Sequence, residues 1–225
     1  MNSIFQLFQS NRKINNVVLL ISTYCLVLLL IRAKVTQTIY LFFLVWNLIL
    51  AAIPYALSSY TTVHFSTLKK EFIVILLLSW LVFLPNSFYI ITDLVHVVRS
   101  NGNLFYFDLL LISSFAVSGF FLGLLSLIQV ENLFQKLNFK SKATRVILLL
   151  ICFLNGFGIY IGRVLRFNSW DILSHPIELF TTLFYELFSK ETILFSIHFG
   201  VFIYLAFLLY KNTTLNTSNN DPSTI

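Results

Sequence analysis

The sequence predicts an all-α polytopic membrane protein: a transmembrane helical bundle of about six spans, with an amphipathic interfacial helix before the last. Three observations predict it. Of 225 residues, 58% are hydrophobic and 11% charged, too little polar surface to cover a soluble domain of this size, whereas lipid covers an apolar exterior. The apolar residues run nearly continuously, unlike the short alternating segments of a membrane barrel. The charges collect in short joints between those runs.

A helix crossing the hydrocarbon needs about 20 mainly apolar residues at 1.5 Å per residue. The spans predicted on that basis are 16–31, 38–58, 72–91, 105–129, 144–162 and 191–210, within one helical domain covering residues 1–210. The first, around VVLLISTYCLVLLLI (17–31), follows Arg12 and Lys13 like a secretory signal. Its flank IRAKVTQT places Lys34 where a small-residue cleavage site belongs, so it is read as a retained helix; cleavage would leave five spans. Trp46, Asn47 and Pro54 punctuate the second span, with Asn47 expected to bond another helix and Pro54 to bend its own. Gly156, Gly158 and Gly162 of the fifth span are expected to permit close helix approach. "GFG" lacks the spacing and lysine of a phosphate loop, and no ATPase domain is visible.

Between the fifth and sixth spans, HPIELFTTLFYELFSKE repeats Ile177, Phe180, Phe184 and Leu187 near helical spacing. Glu178 and Glu186 lie toward the polar side, and Pro176 suits a first helical turn. An interfacial helix over 176–189 is predicted, lying along the membrane surface or packed as a lid over the bundle. Residues 211–225 read as a flexible polar tail.

Sidedness follows from the basic residues. With six spans, the joints and tails on one face hold nine Lys or Arg, and the other face holds Arg32, Lys34, Arg99, Arg163, Arg166 and Lys190. Cytoplasmic loops are enriched in these residues, which puts both termini inside. The formal charge of +6 is spread through these joints without a continuous patch, which argues against nucleic acid and for membrane lipids as partners. Cys25 and Cys152 both lie inside apolar runs, where a thiol acts as a small hydrophobe.

Two polar stretches interrupt the oily pattern. In LPNSFYIITDLVHVVR (84–99), Pro85 removes a backbone donor and disfavours regular helix at Leu84, and Asn86 can bond the backbone so freed. The same break serves either a binding crevice or a kinked structural helix. Asp93 and His96 are three residues apart, on one face if the helix continues, and Asp108 opens the next span. In GFGIYIGRVLRFNSWD (156–171), Arg163 and Arg166 share that spacing, followed by Asn168, Trp170 as an interfacial anchor, and Asp171, with His175 four residues on.

All of these fall toward one membrane face. The arginines suit bidentate recognition of phosphate or carboxylate, or equally pairing with Asp93, Asp108 or Asp171 to close the bundle. Asp93, His96, Asp108, Asp171 and His175 include metal-ligand types but match no established metal motif, so no metal and no cofactor is predicted. Asp93 and His96 are the weak catalytic candidates, His96 or His175 serving as base. His64 and His198 read as ordinary core or surface residues.

The stretches LPNSFYIITDLVH and GFGIYIGRVLRFNSWD, with FLVWNLILAAIP (43–54), resemble the bacterial membrane-protein family called domain of unknown function 1361 over most of residues 38–210. Its pattern maps onto Pro85, Asn86, Tyr89, Thr92, Asp93, Gly162, Arg163, Asn168, Ser169, Trp170 and Asp171. Phe88 stands where the pattern favours proline and Phe167 where it favours tryptophan. His175 falls outside the pattern. The resemblance implies a multi-pass protein of the bacterial cytoplasmic membrane and no particular reaction.

The expected function is binding or transport of a small anionic or lipid-linked molecule in an outward-facing polar crevice. In that reading Arg163 and Arg166 recognise charge, Asp93 and Asp171 orient them or accept protons, and Asn86 and Asn168 give directional hydrogen bonds. A membrane enzyme acting on a lipid or cell-envelope precursor, and a structural or regulatory partner of an envelope protein, are the alternatives.

Overall fold

The computed structural model describes residues 12–99, 102–167 and 174–219. All regular structure among them is helical: α1 (Arg12–Thr36), α2 (Phe43–Val63), α3 (Lys70–Tyr89), α4 (Phe105–Lys136), α5 (Ser141–Arg163), α6 (Pro176–Glu186) and α7 (Lys190–Asn219), joined in places by 3-10 segments. Among the described residues six stretches are long and apolar enough to cross a bilayer: Arg12–Thr36, Tyr40–Val63, Lys70–Val98, Phe105–Lys136, Ser141–Arg163 and Lys190–Thr213. The chain is a polytopic helical membrane protein. Helix α7 runs on to Asn219, so the polar stretch expected as a tail from residue 211 begins as helix. The structure divides into two units, one ending at Ser126 and one beginning at Leu127.

In the first unit, α1 buries only a narrow strip of Cys25, Leu28 and Leu29. The rest of its apolar surface, including Leu20 and Leu30, stays exposed, as suits a helix with lipid on most sides. Helix α2 buries Leu44, Leu48, Ala51, Tyr55 and Ser58, a stripe at alternating four- and three-residue steps that faces one side of a helix. Leu41, Leu111, Ile112, Phe115 and Leu122 join Leu44, Leu48 and Tyr55 in one core.

Two prolines sit inside helices here, Pro54 in α2 and Pro85 in α3. Each removes one i→i−4 hydrogen bond and crowds the preceding turn. Pro85 is expected to disfavour regular helix at Leu84, as a break or a kink, yet α3 stays α-helical through it to Tyr89. Side chains supply extra donors around the disturbed turns. Ser87 Oγ donates to the Ala51 carbonyl at 2.8 Å, and Asn86 Nδ2 donates to the Phe83 carbonyl at 3.0 Å. Serine bonds and neighbouring helices are the usual means by which a spanning helix tolerates proline.

The change of geometry comes later. Ile90–Arg99 forms a ten-residue 3-10 helix, where such runs seldom exceed three or four residues. Helix α4 packs its small residues against the end of α3: a Cβ on Gly119 would lie 2.5 Å from Ile90 Cγ2, and one on Gly123 would lie 2.7 Å from Phe88 Cζ. The Gly-x-x-x-Gly spacing gives a flat strip that the bulky end of α3 fills.

In the second unit, α5 and α7 meet through two reciprocal glycines. A Cβ on Gly156 would strike the Ser196 carbonyl, and one on Gly200 would lie 2.9 Å from Phe153 Cα. In both cases the obstacle is backbone, which cannot rotate away. Gly158 and Gly162, also in α5, are half-buried. Tyr160 then packs edge-on to Phe195 at 5.4 Å. At the end of α4, Lys211 of α7 donates to buried Glu131 at 2.6 Å.

Gly156→Ala and Gly200→Ala are each expected to lower stability by about 1–3 kcal/mol through overpacking. Gly102→Ala, with nothing within 4 Å of the added carbon, should leave the packing intact. Thermal unfolding of the detergent-solubilised variants checks the contrast.

Candidate functional site

The first unit carries its buried acids at the ends of helices. Asp108 stands in the first turn of α4 and is 1% exposed. Its partner is Arg32, near the end of α1: Nε donates to Oδ1 at 3.1 Å and Nη2 to Oδ2 at 3.3 Å. The two parallel bonds match the planar fork of the guanidinium to the carboxylate. The remaining nitrogen, Nη1, donates to Thr38 Oγ1 at 2.8 Å and Thr36 Oγ1 at 3.3 Å. Gln37 between them has φ 53°, the left-handed turn that stops α1 and folds Thr38 back. Each charge also suits its own helix, an acid at an N-terminus and a base at a C-terminus.

Asp93 is also 1% exposed. Asn47 of α2 donates to its Oδ2 at 2.7 Å, so Asn47 does bond a neighbouring element. His96 pairs its Nδ1 with the Tyr40 hydroxyl at 3.0 Å, and its ring lies 4.9 Å from that of Phe43. Tyr40, Phe43 and Asn47 share one side of the start of α2. The opposing side of the 3-10 segment follows from its pitch: at three residues per turn, positions 90, 93 and 96 eclipse. Ile90 is fully buried against α4, Asp93 follows it, and His96 follows Asp93. The two residues do share a face, through a tighter helix than expected.

Trp46 is exposed on α2. Arg163 ends α5 half-buried, and Arg166 lies beyond it, exposed; both belong to the second unit. Arg166 has φ 63°, and the Phe167 N–H returns to the Ile161 carbonyl, six positions back, at 3.2 Å. Asn168, Trp170 and Asp171 lie outside the described residues. His175 is exposed beside Ser174, His64 stacks on Tyr60 at 4.5 Å, and His198 bonds its own helix at Leu194. No group of three His, Cys, Asp or Glu residues able to hold a metal occurs among the described residues.

Sequence reasoning missed Arg32, counting it only toward membrane sidedness. Its signal was present: it stands just past the end of the first span, on the face that the basic-residue count also assigns to Asp93 and Asp108. Chemically the Arg32–Asp108 pair closes helices on one another, with four bonds already committed. Its loss should show as instability: Arg32→Met or Asp108→Leu alone leaves a buried charge and is expected to cost about 3–5 kcal/mol. The double variant Arg32→Met/Asp108→Leu should recover most of that, read from unfolding midpoints in one detergent.

Searches for relatives among curated proteins and for similar solved structures find no match. The family model described as Protein of unknown function (DUF1361) matches residues 46–206, a stretch that holds α3, α4, α5 and α6 entire together with Asn47, Asp93, His96, Asp108, Arg163 and Arg166. The match covers well over half of the chain, and the chain therefore belongs to the DUF1361 family.

Proposed function

We propose that this membrane protein binds, or carries across the bilayer, a small anionic or lipid-linked molecule through Arg163 and Arg166 at the C-terminal end of α5. The observation that carries the reading is the backbone of Arg166. Arg166 stands two residues past the C-cap Val164. A residue with a Cβ in the left-handed region costs about 1–2 kcal/mol, and glycine takes that conformation at no such cost. Favourable contact with the helix dipole is already available to Arg163 in the last turn. An exposed arginine held in a strained conformation at the edge of a span is therefore best accounted for by what its guanidinium binds.

The arginine pair suits phosphate or carboxylate, since both guanidinium groups stay charged and offer paired donors. The polar pairs of the first unit support a different duty: Arg32 with Asp108 and Asn47 with Asp93 fasten helices to one another. The excess of basic residues on the tails and the 59–71 and 130–145 joints supports cytoplasmic termini, with the end of α5 facing outward.

The test uses protein purified in nanodiscs and mass spectrometry of what stays bound. Wild type is expected to retain an anionic species that Arg163→Ala/Arg166→Ala loses. Arg166→Gly removes the guanidinium while relieving the backbone, so it should lose the ligand and unfold at an equal or higher temperature. Equal retention by wild type and both variants would sink the assignment.

A further inference from the structure

Helix α6 divides lengthwise into three sectors. Leu179 is buried, and Thr182, Leu183 and Glu186 on the same side are half-buried. This side rests on protein, and Thr192 at the start of α7 donates to Glu186 Oε2 at 2.5 Å, pinning the end of the helix. On the opposite side Ile177, Phe180 and Phe184, with Phe188 just past the end, are exposed by 82, 62, 63 and 75%. Between these sectors Glu178, Thr181 and Tyr185 form a polar, exposed strip.

A lid would bury its phenylalanines against protein; here they are exposed, on the side of α6 opposite buried Leu179. We propose that α6 lies flat in the headgroup boundary of the bilayer, with Ile177, Phe180, Phe184 and Phe188 seated among the upper acyl chains. The partner of this surface is lipid. Helix α6 joins two spans, and the exposed side chains of Ile193, Leu194 and Ile197 on α7 are the flank that such a span presents to acyl chains. Phe188 carries the α6 stripe to within a few residues of that flank, so one lipid-facing surface continues from the span onto the connecting helix.

The charge pattern selects the kind of lipid contact. No lysine or arginine occurs between Arg166 and Lys190, whereas Glu178 and Glu186 do. Attraction to anionic headgroups therefore contributes nothing here, and the seat rests on apolar insertion, which neutral or zwitterionic lipid satisfies. The polar strip of Glu178, Thr181 and Tyr185 meets water.

The test places single cysteines one at a time over residues 177–188 of the full chain, with the buried Cys25 and Cys152 replaced by alanine. Each is spin-labelled in phosphatidylcholine nanodiscs. Collisions with lipid-soluble oxygen should peak at 180 and 184, those with a water-soluble nickel chelate at 178, 181 and 185, and both should be low at 179 and 183. Nickel collisions at 180 and 184 would put the helix in water, and low values for both reagents there would mean that protein covers the stripe; either overturns the proposal. Phe184→Trp in a chain whose Trp46, Trp80 and Trp170 are replaced by phenylalanine gives a second reading. Its fluorescence should fall several-fold in lipid brominated near the headgroup end of the acyl chains, and unchanged emission counts against the seat. Neither readout depends on a ligand at the arginine pair.

Discussion

Hydrocarbon offers no hydrogen bonds, and that constraint governs the chain more than any single contact. A polar group drawn into a span is costly unless it finds a partner within the protein. Most do so here, with Trp80 Nε1 and Asn155 Oδ1 the buried side-chain atoms left without one among the described residues. Asp108 has a bidentate arginine, Asp93 has an asparagine amide, and Glu131 has a lysine. The serines and threonines follow the same rule on a smaller scale, most of them returning their hydroxyls to carbonyls of their own helix, as Ser114, Ser126 and Ser196 do. Ser87 is the informative exception. It spends its hydroxyl on the neighbouring helix beside Pro54, where the backbone ladder is already disturbed.

Once polar groups are settled, apolar burial alone does not hold helices together in lipid, because acyl chains are as apolar as leucine. Close backbone contact takes over. Gly119 and Gly123 form the strip in the first unit, and Gly156 and Gly200 meet backbone directly in the second. None of the described glycines has a positive φ, so those four serve packing. The turns that stop helices instead use Gln37, Asn138 and Arg166 in the left-handed region. At Asn138 the ring of Phe139 packs on Phe134, the apolar contact that often accompanies such a cap.

The six spans were legible because lipid sets their length, and the helix before the last span because its spacing was helical and its proline stood at the start. Asp93 and His96 were legible as a pair on one face, but the ten-residue 3-10 helix was not, since IITDLVHVV fits either pitch. Pro85 was read as a break because the rule considers one helix alone; the bonds of Ser87 and Asn86 and the packing of Phe88 come from the fold. The partner of Asp108 lay 76 positions away, and nothing local to either residue announces that distance. Arg166 in a left-handed turn was equally hidden, because the usual mark of such a turn is glycine.

Helix α4 bears both Asp108 and Glu131, separated by ~35 Å at 1.5 Å per residue. Each is tied to a cation from another helix, Arg32 at one end and Lys211 at the other. That separation is close to the hydrocarbon thickness of a typical bilayer, about 30 Å. A membrane several ångströms thicker would draw both pairs into oil together, and a thinner one would leave both in water, where exposed ion pairs contribute little. Helix α4 is therefore expected to respond to bilayer thickness. Its fastenings hold best at one bilayer thickness, and mismatch in either direction acts on two joints at once.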